Sequence, residues 1–253
     1  MVKIETRHTR ILEIVGDNER IEVKQLAELL KVSQVTVRKD LDILEEKGLL
    51  RREHGYAVMN ASDDINNRLA FNYQIKRSIA KLAAELVKDG ETVMIESGSS
   101  CALLAEELAA NKKDVRIITN SAFIASYIRE IPSVKIVLLG GDYQPKSQVM
   151  VGPITKKCAK DFFVDKLFVG TDGFTEKFGF TGNDLMRTET VQSMAESASH
   201  VVVLTDASKF KKQGVVAQFR KEEVDFVITD DAIPEYAREI LLENNVELRT
   251  VKR

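Results

Sequence analysis

Two clusters of side chains in this chain have the types and spacing to do chemistry. The first lies in "KVSQVTVRKDLDILEEKGLL", residues 31 to 50. At helical spacing, Val37, Leu41 and Leu44 fall on one side, with Val35, Arg38, Lys39 and Asp42 roughly opposite and Gln34 at the helix start. Such a face suits the major groove of DNA, where base edges carry a distinguishing code. Arg38 can pair with guanine O6 and N7, Gln34 with adenine, and Val35 can touch a thymine methyl. Arg51, Arg52 and His54 follow shortly after and are placed to hold phosphates, which fixes register without reading sequence. The second cluster opens with "TVMIESGSSCALLAEELA". A strand ends at Ile95 or Glu96, and the small-residue turn Ser97-Gly98-Ser99-Ser100 leads into a helix. Backbone N–H groups in such a turn, with hydroxyls and the positive end of a helix, make an anion pocket. The turn lacks the spacing of a dinucleotide fingerprint and the lysine of a P-loop, so a phosphate monoester is the simplest ligand that fits. The bland alternative is a loop of small residues capping a helix.

Similar ends follow other apolar runs. "VRIIT" ends in Asn120-Ser121, "VKIVLL" in Gly140-Gly141-Asp142 and "KLFVG" in Thr171-Asp172-Gly173. "HVVVLT" ends in Asp206, with Ser208 and Lys209 just beyond. In a parallel sheet, the carboxyl ends of the strands share one edge, and ligands bind in the crevice there. Lys209 would add positive charge beside a phosphate, and Asp172 and Asp206 would accept sugar hydroxyls. Each aspartate also reads as a helix cap or turn residue.

The elements that must position these clusters differ in grammar. Up to about residue 58 the chain reads as three short helices and a hairpin. Ile11, Ile14 and Val15 share a face before Gly16, which is expected to end the first helix. Val23, Leu26, Ala27 and Leu30 mark the second. Ser33 is a suitable N-cap for the third helix and Gly48 a suitable C-cap. "LLRREHGYAVM" suits two strands and a turn. Together these predict a winged helix-turn-helix over 1–58, whose third helix enters the major groove. The polar stretch within 59–71 reads as a linker. From 72 to 253, a helical stripe of Ile75, Ile79, Leu82, Ala83 and Leu86 precedes apolar runs of strand length separated by helical patterns. That alternation predicts an α/β domain with a largely parallel sheet covered on both faces.

Composition narrows the classes. The 253 residues are 44% hydrophobic and 30% charged, with a formal net charge of −2. Residues 1–58 hold 11 Lys/Arg and 11 Asp/Glu, so the basic groups matter by position rather than by excess. No apolar run reaches the ~18–20 residues of a membrane span, and no secretory h-region opens the chain. Cys101 and Cys158 lack metal-ligand spacing and read as reduced thiols. The three histidines are scattered, so no metal and no cofactor is expected, and the expected compartment is the cytoplasm.

Ser33, the run Thr36-Val37-Arg38-Lys39-Asp40-Leu41 and Gly48 resemble the signature of DeoR-type bacterial repressors. "RLAFNYQIKRSIAKLAAEL", "IESGSSCALLAEEL", "ITNS", "LLGG", "VGTDGF" and "LTDASKF" resemble, in order, the landmarks of the same family's sensor domain. The resemblance covers nearly the whole chain. It implies a sensor fold related to ribose-5-phosphate isomerase, a phosphorylated sugar as effector, and Ser97 to Ser100, Asn120, Asp172 and Lys209 as ligand contacts. The chain departs from the family pattern in several places. Gly55-Tyr56 stands where two glycines are common, Glu96 where an Asp usually opens the first loop, and Arg187 and Val191 where a Glu and a Lys are common.

The expected function is therefore a transcriptional repressor of a sugar-catabolism operon. It would bind double-stranded operator DNA as a homodimer or homotetramer, because paired half-sites multiply the small footprint of one winged helix. The rival reading is a sugar-phosphate isomerase-like enzyme with a regulatory head, in which Asp172, Asp206 and Lys209 act as acid–base groups. No firmly paired base and electrophile is visible to support it, and fold kinship does not carry function. No catalytic residue is assigned.

Overall fold

Gly16 does not end the first helix. In the computed structural model, which describes residues 4–18, 20–46, 49–58 and 65–253, helix α1 runs over Ile4–Asn18. Glycine disfavours a helix interior by about 1 kcal/mol, but Ile11, Leu12 and Val15 of α1 are each no more than 1% exposed, and their packing outweighs it. The expected C-cap Gly48 lies outside the described residues.

The chain divides into two units, Met1–Gln74 and Ile75–Arg253. In the first, α1 is followed by β1 (Arg20–Glu22), α2 (Val23–Leu30) and α3 (Gln34–Glu46). The wing follows as β2 (Arg51–Glu53) and β3 (Tyr56–Val58). The strand β1 was not anticipated. It pairs with β3, giving a three-stranded antiparallel sheet in the order β1-β3-β2. His54 (φ 45°) and Gly55 (φ 88°) make the tight turn between β2 and β3; positive φ at both central residues is what a type I′ hairpin turn demands. Ser33 caps α3 as expected, its hydroxyl accepting the Thr36 N–H at 3.1 Å. The core joins Leu26 of α2 to Val37, Leu41 and Leu44 of α3. Each such buried aliphatic side chain contributes about 1.5–3 kcal/mol.

Part of the stretch read as a linker is helical. α4 (Ile65–Ala70) packs against α1 and buries Ile65 and Leu69 completely. These two apolar residues, four apart, are its inward face; their polar neighbours mask the signal in sequence. Residues 59–64 lie outside the described set. The next helix, α5 (Tyr73–Ala84), contains the division between the units.

The second unit alternates strand and helix. Its elements are β4 (Thr92–Ile95), α6 (Ser99–Asn111), β5 (Arg116–Thr119), α7 (Ala122–Tyr127), β6 (Lys135–Leu138), β7 (Asp142–Gln144), β8 (Val149–Val151) and α8 (Gly152–Ala159). The chain continues through β9 (Val164–Val169), β10 (Gly173–Thr175), β11 (Gly179–Gly182), α9 (Leu185–Ala195) and β12 (Ala198–Leu204). It ends with β13 (Val216–Phe219), β14 (Phe226–Asp230), α10 (Glu235–Glu243) and β15 (Glu247–Val251). Seven strands form one sheet in the order β15-β14-β12-β9-β4-β5-β6, and every pairing in it is parallel. The chain thus starts in the middle, winds outward one way, then returns and winds the other, so the topological switch lies between β4 and β9. The all-apolar centre fits burial on both faces: Val93, Met94, Ile95, Leu167, Phe168 and Val169 are fully buried. β10, β11 and β13 form a separate antiparallel sheet, with Phe174, Phe180 and Phe210 in edge-to-face contact beneath it.

Candidate functional sites

On α3 the wheel holds. Val37, Leu41 and Leu44 are buried, while Gln34, Val35, Arg38, Lys39 and Asp42 are exposed, Val35 at 62%. Asp40 does not share that face. It is buried, and Arg7 of α1 reaches it with a forked pair of hydrogen bonds, Nε to Oδ2 at 2.5 Å and a second guanidinium nitrogen to Oδ1 at 2.8 Å; His8 Nε2 lies 3.0 Å from Oδ1. Burial pushes the Asp40 carboxyl up, but the Arg7 and His8 hydrogen bonds outweigh it and hold it below the usual carboxylate range. This clamp bolts α3 to α1 and sets its pitch. Sequence reading missed it, because an aspartate one turn before Leu44 looks like one more solvated charge.

The wing residues are exposed at Arg51, Arg52 and His54. Arg51 faces Glu53 at 3.3 Å. Arg52 pairs with Asp42, and its backbone N–H donates to Glu45 at 2.8 Å. Two of the three exposed acids of α3, Asp42 and Glu45, therefore moor the wing.

In the second unit the parallel pairing sets the predicted residues after β4, β5, β6, β9 and β12 along one edge. Glu96, Ser97, Gly98 and Ser100 are buried and Ser99 is half-buried at the start of α6, with Gly98 as its N-cap. The turn already holds an anion. The Glu96 carboxylate accepts from Ser97 Oγ at 2.6 Å and reaches across the switch to Gly170 N at 3.2 Å. Gly98 packs closely there: a Cβ would stand 3.2 Å from Gly170 Cα and 3.1 Å from Cys101 Sγ, so a larger residue would press on both. Asn120, 1% exposed, donates its Nδ2 to Met150 O at 3.0 Å.

Other predicted contacts have structural partners of their own. Gly141 (φ 154°) lies where a Cβ would meet Thr155 Oγ1 at 1.9 Å. Asp172 accepts from Asn183 N at 2.9 Å. Gly173 opens β10, with Lys212 O only 2.5 Å from where its Cβ would be. Asp206 caps the short turn Ala207–Lys211, accepting from Ser208 N at 3.1 Å.

Two groups at this edge were not foreseen. Lys76 of α5 is only 4% exposed, and its charge acts on Asp206. Burial pushes the Asp206 carboxyl up, but Lys76, the Ser208 hydrogen bonds and Lys209 outweigh it, so it stays ionised below the usual range. The buried residues of α5 are Tyr73, Lys76, Ile79, Ala80, Ala83 and Ala84, turned from the expected stripe so that Ile75 and Leu82 are half-buried. A lysine three before one buried residue and four before the next was the available signal. The other group is Gln218 of β13, 6% exposed, whose Nε2 donates to Gly170 O at 3.0 Å.

An exposed reading helix with a moored wing, in one chain with a doubly wound sheet whose polar loops share one edge, defines a DNA-binding transcriptional regulator with a sensor domain. Residues 7–63 match the DeoR-like helix-turn-helix domain and residues 71–231 the DeoR C terminal sensor domain. The chain belongs to the DeoR family. It is 30% identical to the HTH-type transcriptional regulator GolR of Listeria innocua, over 90% of this chain and 91% of the relative. It is 28% identical to a putative aga operon transcriptional repressor of Escherichia coli O157:H7, over 96% and 92%. The glycerol-3-phosphate regulon repressor of Escherichia coli is 28% identical, over 96% and 97%. Among solved structures, ribose 5-phosphate isomerase A from Methanocaldococcus jannaschii is similar at 23% identity over 55% of each chain, with a TM-score of 0.40. No helix among the described residues is long and apolar enough to cross a membrane.

Proposed function

We propose that this chain represses a sugar-catabolism operon by binding its operator through α3 and the wing. A phosphorylated sugar at the carboxyl edge of the parallel sheet controls the binding. The observation that carries this reading is the exposed row Gln34, Val35, Arg38 and Lys39 opposite a fully buried stripe, in a chain whose other unit gathers five polar strand ends on one edge. The names of the relatives, repressors of the aga operon and of the glycerol-3-phosphate regulon, support the same class of target. In this reading the predicted DNA contacts are Ser33 to Thr36, Arg38, Lys39, Arg51, Arg52 and His54. The effector contacts are Ser97 to Ser100, Asn120, Gly141, Asp172, Gly173, Asp206 and Lys209, joined by Lys76.

The protein works in the cytoplasm as a homodimer or homotetramer on paired half-sites, and it acts by binding rather than by turnover. An effector shifts operator affinity only by as much as it discriminates between two conformations. Fluorescence anisotropy with DNA flanking the gene's own locus, repeated with a panel of phosphorylated sugars, tests the whole reading. A specific complex whose affinity changes with one sugar phosphate is expected. No specific DNA complex, or isomerisation of an aldose phosphate that Lys209→Ala abolishes, overturns it.

A further inference from the structure

We propose that the effector carries an amine as well as a phosphate, as a phosphorylated amino sugar does, and that Glu96, Asn120 and Gln218 receive its ammonium group. The inference rests on the effector reading above and narrows it. Glu96 is 8% exposed and keeps only two hydrogen bonds, from the Ser97 hydroxyl and the Gly170 N–H. No basic side chain among the described residues pairs with it. A carboxylate taken out of water calls for a cation or a full set of donors.

Two more acceptors come from Asn120, after the neighbouring strand β5, and from Gln218 of β13 in the smaller sheet. Ile95 is in register with Thr119 on one side and Phe168 on the other, so Asn120 and the loop after Val169 flank Glu96. The Asn120 amide donates to Met150 O and the Gln218 amide to Gly170 O, both at 3.0 Å. Only an NH2 can donate to a carbonyl, so each amide is fixed in orientation and its oxygen must face elsewhere. Those oxygens, Asn120 Oδ1 and Gln218 Oε1, are buried and have no partner among the described residues. Buried acceptors left unmatched cost stability. A carboxylate at the end of β4, with two unmatched amide oxygens on residues that flank it or bond the same Gly170, matches an ammonium, which offers three N–H donors and a positive charge. A sugar hydroxyl at the same place brings one donor and no charge. The phosphate takes the start of α6, three residues on from Glu96, where the free backbone N–H groups of the helix supply positive potential.

Calorimetry on the full chain with matched pairs tests this: glucosamine 6-phosphate against glucose 6-phosphate, and galactosamine 6-phosphate against galactose 6-phosphate. At least one amine member should bind about tenfold or more tightly than its partner. Glu96→Gln, which keeps shape and removes charge, should bring that pair near parity without weakening the amine-free member. Equal affinity within every pair in the unmodified protein, or preference for the amine-free sugar, overturns the proposal whatever the variant does. If no pair binds but another amine-free phosphate ester binds and changes operator affinity, the proposal fails and the effector reading stands. If no phosphate ester binds at all, both fail.

Discussion

Asp40 shows how a single buried carboxylate can serve a reading surface it never touches. Arg7 and His8 hold it, so α3 is presented at a fixed angle while Arg38 and Lys39 two and one residues earlier stay in solvent. Asp40→Asn keeps the shape but strips charge from the clamp, and should cost about 1–3 kcal/mol of stability in the head, read as a lower urea midpoint at pH 7. The pH dependence has a definite sign. The folded carboxyl lies below its ordinary 3.8, so the clamp's contribution is complete above that value and is lost as pH falls through the lower folded one. Asp40→Asn should flatten that acid limb; a limb of unchanged steepness removes Asp40 from the account. Arg38→Ala, by contrast, should leave folding alone and weaken operator binding by about 1–3 kcal/mol if Arg38 grips a guanine with two bonds. An unchanged footprint and affinity would take Arg38 out of the reading role. The face bearing Arg38 was legible because spacing alone separates it from Val37 and Leu41. The clamp was not, because it joins residues 33 apart in sequence, and periodicity carries no information at that range.

At the scale of elements, the two kinds of glycine separate what local preference decides from what packing decides. Gly16 lies inside α1 with nothing within 4 Å of where a Cβ would be. Gly16→Ala should therefore raise the thermal midpoint, contributing about 0.5–1 kcal/mol through a less floppy unfolded chain. Gly173 faces the opposite case: a Cβ would press on Lys212 O at 2.5 Å and Lys212 C at 2.8 Å, all backbone. Gly173→Ala should destabilise the second unit by about 1–3 kcal/mol, because backbone cannot step aside as a side chain would. A neutral Gly173→Ala in calorimetric unfolding would mean the turn can yield. The same contrast explains which elements the sequence reveals. Six of the seven parallel strands announce themselves as apolar runs; the sheet buries most positions of five of them, while the edge strand β6 is apolar yet exposed or half-buried throughout. The seventh, Glu247–Val251, is an edge strand with exposed and half-buried positions, and Glu247 and Arg249 interrupt its apolar residues. β10 and β11 are short and rich in glycine and threonine, and β13 is a four-residue strand whose pairing with β11 joins residues more than thirty apart in sequence. The strand ends that line the edge were readable for what they are. Lys76 and Gln218 were not, because they come from a helix and a strand outside the loops where such residues are usually sought.

For the molecule as a whole, regulation requires that occupancy of the sheet edge be felt at α3, and the required coupling is modest: about 1–3 kcal/mol changes operator affinity roughly 5–150-fold. Ser99→Asp isolates that coupling. Ser99 is the first residue of α6, half-buried at the turn proposed as the phosphate site. A carboxylate at a helix N-terminus is favourable by about 0.3–1 kcal/mol, so the substitution should not unfold the domain. It does place a second negative charge beside Glu96, where an incoming phosphate would meet it. The variant should bind operator with unaltered affinity and lose the response to effector, and the loss should shrink as salt is raised, because a half-exposed charge is screened while a steric block is not. Operator titrations with and without effector, at two ionic strengths, distinguish the outcomes. A normal response in the variant would place the anion site away from α6. A lost response that ignores salt would make the block one of shape, with charge playing no part in it.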